Sequence, residues 1–158
     1  MIRVLIVCLG NICRSPMAEN VLRHLVAEAG LSAQISVDSA GTANYHVGEL
    51  AHKRTRGLLA DHAIPYSGTA RQLTKDDLAS FDYVLAMDAD NLTDVQRLRS
   101  AHTRAKIGLF LDDAYQASLV DVRYVPDPYY TDRYEETFEL VMKGSRAFLE
   151  RLRRDHQL

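Results

Sequence analysis

Cys8 and Arg14 stand at the two ends of the run Cys8-Leu9-Gly10-Asn11-Ile12-Cys13-Arg14, which leads directly into Ser15 and Pro16. A thiol, a short loop and a guanidinium in that order are the parts needed to hold a phosphate dianion and attack it. Gly10 and Asn11 tolerate the left-handed backbone by which a loop turns successive N–H groups inward around an anion. Arg14 adds a planar fork that meets two phosphate oxygens at once. The same positive surroundings favour the thiolate, because cysteines at helix N-termini beside arginine fall from a pKa of ~8.5 to roughly 3.5–7.5. At pH 7 a thiol of pKa about 8.5 is only about 3% ionised, whereas one of pKa about 5 is about 99% ionised. A shift of that size decides whether the nucleophile is available.

An isolated Cys-x5-Arg match more often joins a core cysteine to a surface arginine, so the flanking elements carry the decision. Ile2 to Val7 is aliphatic almost throughout rather than alternating, as expected of a strand buried on both faces of a parallel sheet, and it runs into Cys8. Behind the loop, Ser15 is a candidate N-cap and Pro16 a candidate first helical residue. Met17, Val21, Leu22, Leu25 and Val26 then make one apolar face, with Gly30 suited to the helix end. Ligands of open α/β sheets bind at the carboxyl ends of the strands, which is where Cys8 falls. The other common phosphate cradle, a nucleotide-binding loop ending in Gly-Lys-Ser/Thr, has no match in the chain.

Further strands are expected at Gln34 to Ser39, Phe81 to Ala86 and Lys106 to Leu109. Further helices are expected over Ala51 to His62, after a capping Asp88 with Leu92, Val95 and Leu98, and in a last segment where Phe138, Val141, Ser145, Phe148, Leu149 and Leu152 recur at helical spacing. The stretch from the fourth strand to Pro128 reads as polar and irregular. Alternating strands and helices imply an α/β fold: a three-layer domain spanning 1–158, with a four-stranded parallel sheet and helices on both faces, doubly wound in the flavodoxin-like manner.

The 158 residues suit one core, and 47% hydrophobic with 25% charged residues is ordinary globular composition. A net charge of -2 argues against a nucleic-acid partner. The early apolar run is too short to span a membrane and lacks the build of a signal peptide, so a cytoplasmic protein with no membrane partner is expected. Cys8 and Cys13 are the only cysteines, which fits a working thiol better than a disulfide framework. The six histidines show no metal-ligand pairing, so no metal site is expected.

VCLGNICRSPMAE, SAGT, TARQL, FDYVLAMD and VPDPYY, in this order and spacing, resemble the low-molecular-weight protein tyrosine phosphatases over nearly the whole chain. The resemblance implies in-line attack of Cys8 on phosphorus, Arg14 on the equatorial oxygens, and hydrolysis of the resulting cysteinyl phosphate by water, with no metal or other cofactor. Leu9, Gly10, Asn11, Ile12, Cys13 and Arg14 would form the phosphate-binding loop. Asp127 matches the family's general acid; Pro126 and Pro128 restrict how far its carboxyl can wander. Ser15 would hydrogen-bond the Cys8 sulfur and help it leave in the second step. Asn11 and Ser39 would support the loop. Tyr129 and Tyr130 would wall the cleft, with Ile12, Tyr45 and His46 completing its rim.

Cys13, in the same loop, is placed to trap an oxidised Cys8 as a disulfide. Asp88 is a candidate supporting partner for the loop, but its place before a helix favours N-capping as the single explanation, and it is left out of the catalytic set. The implied substrate is a tyrosine-phosphorylated protein, with inorganic phosphate as product and competitive ligand and a monomer as the acting form. A related branch acting on phosphoarginine carries threonine where this chain has Ile12, so phosphotyrosine is favoured and protein-arginine phosphatase is the alternative. A thiol-dependent arsenate reductase would need cysteines that the chain lacks. A catalytically silent phosphotyrosine-binding module would not need Cys8, Ser15 and Asp127 together. The chain departs from the family pattern where Gly68 replaces a supporting histidine, where Tyr45 replaces a frequent tryptophan, and where Ala51-His52-Lys53-Arg54 replaces a frequent Pro-Asp-Pro-Arg-like stretch.

Overall fold

The computed structural model describes residues 1–158. Its elements in chain order are β1 (Ile2–Cys8), α1 (Arg14–Glu28), β2 (Ile35–Gly41), α2 (Lys53–Asp61), α3 (Lys75–Ser80), β3 (Tyr83–Ala86), α4 (Ala89–Arg97), β4 (Lys106–Leu109), α5 (Asp112–Gln116), α6 (Pro128–Thr131) and α7 (Tyr134–His156). The four strands are parallel in the order β2-β1-β3-β4. Because the chain leaves β1 for one neighbour and later returns to the other, the crevice at the carboxyl ends of β1 and β3 is the switch point at which such sheets bind ligands.

The unbroken aliphatic run of β1 is explained by burial on both faces. Val4, Ile6 and Cys8 enter the larger apolar cluster with Met17 and Val21 of α1, Leu59 of α2, and Val141 and Phe148 of α7. Leu5 and Val7 enter a second cluster with Leu78 of α3, Val84 of β3 and Val95 of α4. Helices therefore cover both faces of the sheet, as the alternation of elements predicts.

Several boundaries differ for identifiable reasons. β1 continues through Cys8, which pairs with Gly41. β3 begins at Tyr83 because Phe81 is already the C-cap of α3. α1 begins at Arg14 with Cys13 at its N-cap position, and no side chain caps it. Ser15 is thus not the cap that its type suggests, because its hydroxyl is engaged by Cys8 and Asn11 instead. Pro16 is still tolerated, since first-turn N–H groups have no intrahelical partner to lose. The short helices α3, α5 and α6 were not expected. α3 carries a sequence signal, a reciprocal capping box between Thr74 and Asp77.

Gly41 fixes where the loop after β1 can lie. A Cβ there would stand 2.7 Å from the Leu9 carbonyl oxygen and 3.1 Å from the Gly10 carbonyl carbon. The bare backbone lets the two segments touch, and the Thr42 and Ala43 N–H groups donate to the Cys8 and Leu9 carbonyls. The loop is anchored to β2 before it turns into α1.

Candidate active site

The loop leaves β1 at Cys8 and returns at Arg14, and its shape depends on one residue in the left-handed region, Asn11 at φ 58°. Gly10 does not share that conformation. Its missing Cβ serves a neighbour instead, since a Cβ there would lie 3.1 Å from Cδ2 of His46. The Asn11 N–H donates to the Cys8 sulfur at 3.3 Å, and the Ser15 hydroxyl lies 3.0 Å from the same sulfur. Asn11 is itself held on three sides: its Nδ2 donates to Ser15 Oγ at 2.8 Å and to Ser39 Oγ at 2.9 Å, and its Oδ1 accepts the Arg71 N–H at 2.9 Å. Asn11, Ser15 and Ser39 are all buried, so these bonds do not compete with water.

Arg14 is only 2% exposed, a burial that requires partners for the charge. Nη1 donates to Asp88 Oδ2 at 2.6 Å and to the Val125 carbonyl at 2.9 Å, and Nη2 lies 3.4 Å from Asp127 Oδ2. Burial is the largest influence and opposes the charge. The Cys8 sulfur, Asp88 and Asp127 together outweigh it and hold the guanidinium above its ordinary value. Nε is buried and makes no hydrogen bond within the protein. Asp88 has two roles, contrary to the expectation of one: Oδ1 caps α4 through the Asn91 N–H at 2.8 Å while Oδ2 holds Arg14. Capping and ion pairing use different oxygens, so a fit to one role did not exclude the other.

Asp127 caps α6 by accepting the Tyr129 N–H at 3.1 Å, with Pro128 at the first helical position. This cap and the contact with Arg14 leave the carboxyl facing the loop. Cys8, Leu9, Gly10, Ile12, Cys13 and Arg14 line one cleft together with Tyr45, His46, Asp127, Tyr129 and Tyr130. The rim residues named from sequence therefore meet in one place. Tyr129 and Tyr130 pack edge to face with ring centres 5.4 Å apart and remain well exposed. His46 is fixed by Glu49, with Nδ1 and Oε2 2.7 Å apart.

The profile of the family "Low molecular weight phosphotyrosine protein phosphatase" matches residues 3–158. The chain belongs to this family. It is 42% identical over 159 residues, covering all of both chains, to the low molecular weight protein-tyrosine-phosphatase YfkJ of Bacillus subtilis. It is 41% identical over 152 residues, 94% of each chain, to the human low molecular weight phosphotyrosine protein phosphatase. Among solved structures, the crystal structure of YfkJ superposes with a TM-score of 0.92 at 40% identity over 98% of this chain and 96% of that one. The Drosophila arginine phosphatase superposes with a TM-score of 0.85 at 30% identity over 94% and 96%.

In this member of the low-molecular-weight phosphatases, two departures from the family pattern have structural counterparts. Position 68 takes φ +108°, a conformation that side-chain-bearing residues rarely adopt, so Gly68 serves a backbone turn. His52 caps α2 by accepting the Arg54 N–H at 3.1 Å, and its ring stacks on Tyr134 with centres 5.1 Å apart. Burial lowers the His52 pKa, and Lys53, Arg54 and Arg56 push it the same way. Sequence reasoning passed over Glu19 and the Arg71 backbone, whose links to the loop arise only after residues far apart in the chain are folded together.

Proposed function

We propose that this chain hydrolyses phosphotyrosine in proteins, and small aryl phosphates, through a phosphoenzyme on Cys8. The Cys8 sulfur attacks phosphorus in line; the S–P bond forms as the bond to the phenolic oxygen breaks, and Asp127 gives its proton to that oxygen. The Asp127 carboxylate then takes a proton from water as the water oxygen attacks phosphorus and Cys8 departs, with Ser15 donating to its sulfur. Arg14 and the loop N–H groups other than that of Asn11, which donates to the Cys8 sulfur, hold the equatorial oxygens. The observation that carries this reading is one cleft lined by Cys8, Arg14 and Asp127 together.

Substrate choice follows from the walls. Ile12, Tyr45, Tyr129 and Tyr130 give the cleft apolar and aromatic sides suited to a phenyl ring. Tyrosine-phosphorylated protein is therefore the substrate class, and inorganic phosphate is both product and competitive ligand. The cleft is complete within one chain, which supports a monomer as the acting form. Two free cysteines, one of them the nucleophile, suit a reducing compartment, and the cytoplasm is the proposed site of action. No helix is long and apolar enough to cross a membrane.

Turnover on matched phosphotyrosine, phosphoserine and phosphoarginine peptides tests the substrate. The expected result is kcat/KM highest on phosphotyrosine by about 10²-fold or more, because the other two bring no ring to pack between the aromatic walls. A preference for phosphoarginine would transfer the chain to the arginine-phosphatase reading.

A further inference from the structure

Glu19 lies on α1 one turn beyond Ser15, and the catalytic scheme leaves it unused. It is 6% exposed, which calls for partners at both of its oxygens. Oε1 accepts from the Ser39 hydroxyl at 2.5 Å, and Oε2 pairs with Arg23. Arg23 is fixed in turn by Asn20 Oδ1 at 2.9 Å, Ser67 Oγ at 3.0 Å and the Val37 carbonyl at 3.1 Å.

The direction of each hydrogen bond can be assigned from the chemistry of the groups. A carboxylate has no proton to give, so Ser39 donates to Glu19. The Ser39 oxygen is then left to accept from Asn11 Nδ2. With Asn11 Oδ1 occupied by the Arg71 N–H, the amide is held one way round, and its second Nδ2 hydrogen goes to Ser15. Ser15, having accepted, directs its own proton to the Cys8 sulfur. A hydroxyl that donates to a carboxylate is a stronger acceptor for the next donor, so the polarisation passes along the chain.

We propose that Glu19 is a positioning residue for Cys8, acting through Ser39, Asn11 and Ser15 to hold the Ser15 proton on the sulfur. This rests on the reading of Cys8 as the nucleophile. Charges facing Glu19 come from Arg23 on its own helix and Asp38 on β2. From the segment at Ser67 and Gly68 comes no charge, and a Cβ at position 68 would lie 3.7 Å from Oε2. Burial pushes the Glu19 carboxyl up, against the lowering contributions of Ser39 and Arg23.

The sign of one measurement separates this role from that of a distant negative charge. Removing a nearby negative charge alone would ease ionisation of a thiol and move its titration down; weakening the donor chain moves it up. The experiment follows the pH at which iodoacetate alkylation of Cys8 reaches half its maximal rate, together with kcat and KM on p-nitrophenyl phosphate. Arg14, Asp127, Asp88, Cys13 and His46, the charged and titratable groups around Cys8, are the same in every variant. In Glu19→Gln one acceptor oxygen must serve both Ser39 and Arg23. The expected result is a midpoint raised by about half a pH unit or more and kcat reduced about 3–10-fold, with KM little changed. Ser39→Ala should raise the midpoint similarly, and Glu19→Gln added to it should move it no further. An unmoved or lowered midpoint in either single variant, or additive shifts in the double variant, overturns the proposal. Turnover retained in Cys8→Ser would instead remove the nucleophile reading beneath it.

Discussion

Arg14 Nη1 donates to Asp88 Oδ2 at 2.6 Å, tying the helix that follows β1 to the turn that follows β3. One partly buried ion pair thus bridges the two sides of the switch-point crevice and fixes the face that Arg14 presents to the loop. Removing the Asp88 charge leaves the buried guanidinium with the Val125 carbonyl and the longer contact to Asp127. Asp88→Asn keeps a good N-cap for α4 but removes the charge, so kcat/KM on p-nitrophenyl phosphate should fall about 10-fold or more with little loss of cap stability. Asp88→Ala should lose the cap as well, lowering stability by about a further 1 kcal/mol in denaturant titration.

Asp127 caps α6 and touches Arg14, yet its proposed chemical role is proton transfer to the leaving oxygen. Asp127→Ala should slow phenyl phosphate cleavage by about 10²-fold or more. The loss should be smaller with p-nitrophenyl phosphate, whose leaving group needs less protonation. Equal losses on both substrates would show that the residue positions Arg14 rather than donating a proton.

The neutral imidazole of His52 accepts the Arg54 N–H and cannot do so once Nδ1 is protonated. The folded state lowers its pKa, so folding favours the neutral form. The stabilisation is complete above the unfolded value of about 6.5 and is lost as pH falls through the lower folded value. His52→Asn keeps a capping oxygen that does not titrate. In melting curves taken from about pH 8 to about pH 5, the parent should lose more Tm than the variant below about pH 6.5. Parallel curves would contradict the cap assignment.

Burial pushes the Cys13 thiol up to about 11, the largest influence on it, and its sulfur lies 3.5 Å from the Tyr134 hydroxyl. Were peroxide to oxidise Cys8 to a sulfenic acid, the Cys13 thiolate would attack that sulfur, forming a disulfide and releasing hydroxide. Below its pKa, the Cys13 thiolate fraction rises tenfold per pH unit, so trapping should quicken from pH 7 to pH 9. Recovery of peroxide-treated enzyme with dithiothreitol should be large in the parent and small in Cys13→Ser. Equal recovery would remove Cys13 from this role.

The sheet was legible because β1 is a continuous aliphatic run and α7 repeats its apolar residues at helical spacing. Both patterns follow from burial on a known number of faces. The loop was legible because residue types with few alternatives, a thiol, Asn11 and a guanidinium, fall at a strand end. Glu19 was not legible as a site residue and Asp88 only as a loop partner set behind N-capping, because an acid beside a helix start or within a helix has many ordinary uses. Their second roles depend on pairings across the fold: Arg14 and Asp88 are 74 positions apart, and Glu19 and Ser39 are 20 apart. Ser15 shows the converse, a residue whose local preference for capping yields to a nearby sulfur.

The central claim is that Cys8 carries the phosphoryl group between two chemical steps. Rapid mixing of enzyme with p-nitrophenyl phosphate should release a burst of p-nitrophenolate close to one equivalent of active sites, followed by slower steady turnover. The Cys8→Ser variant, folded as judged by an unchanged melting curve, should show neither burst nor turnover. Steady hydrolysis by Cys8→Ser at the parent rate would contradict the account.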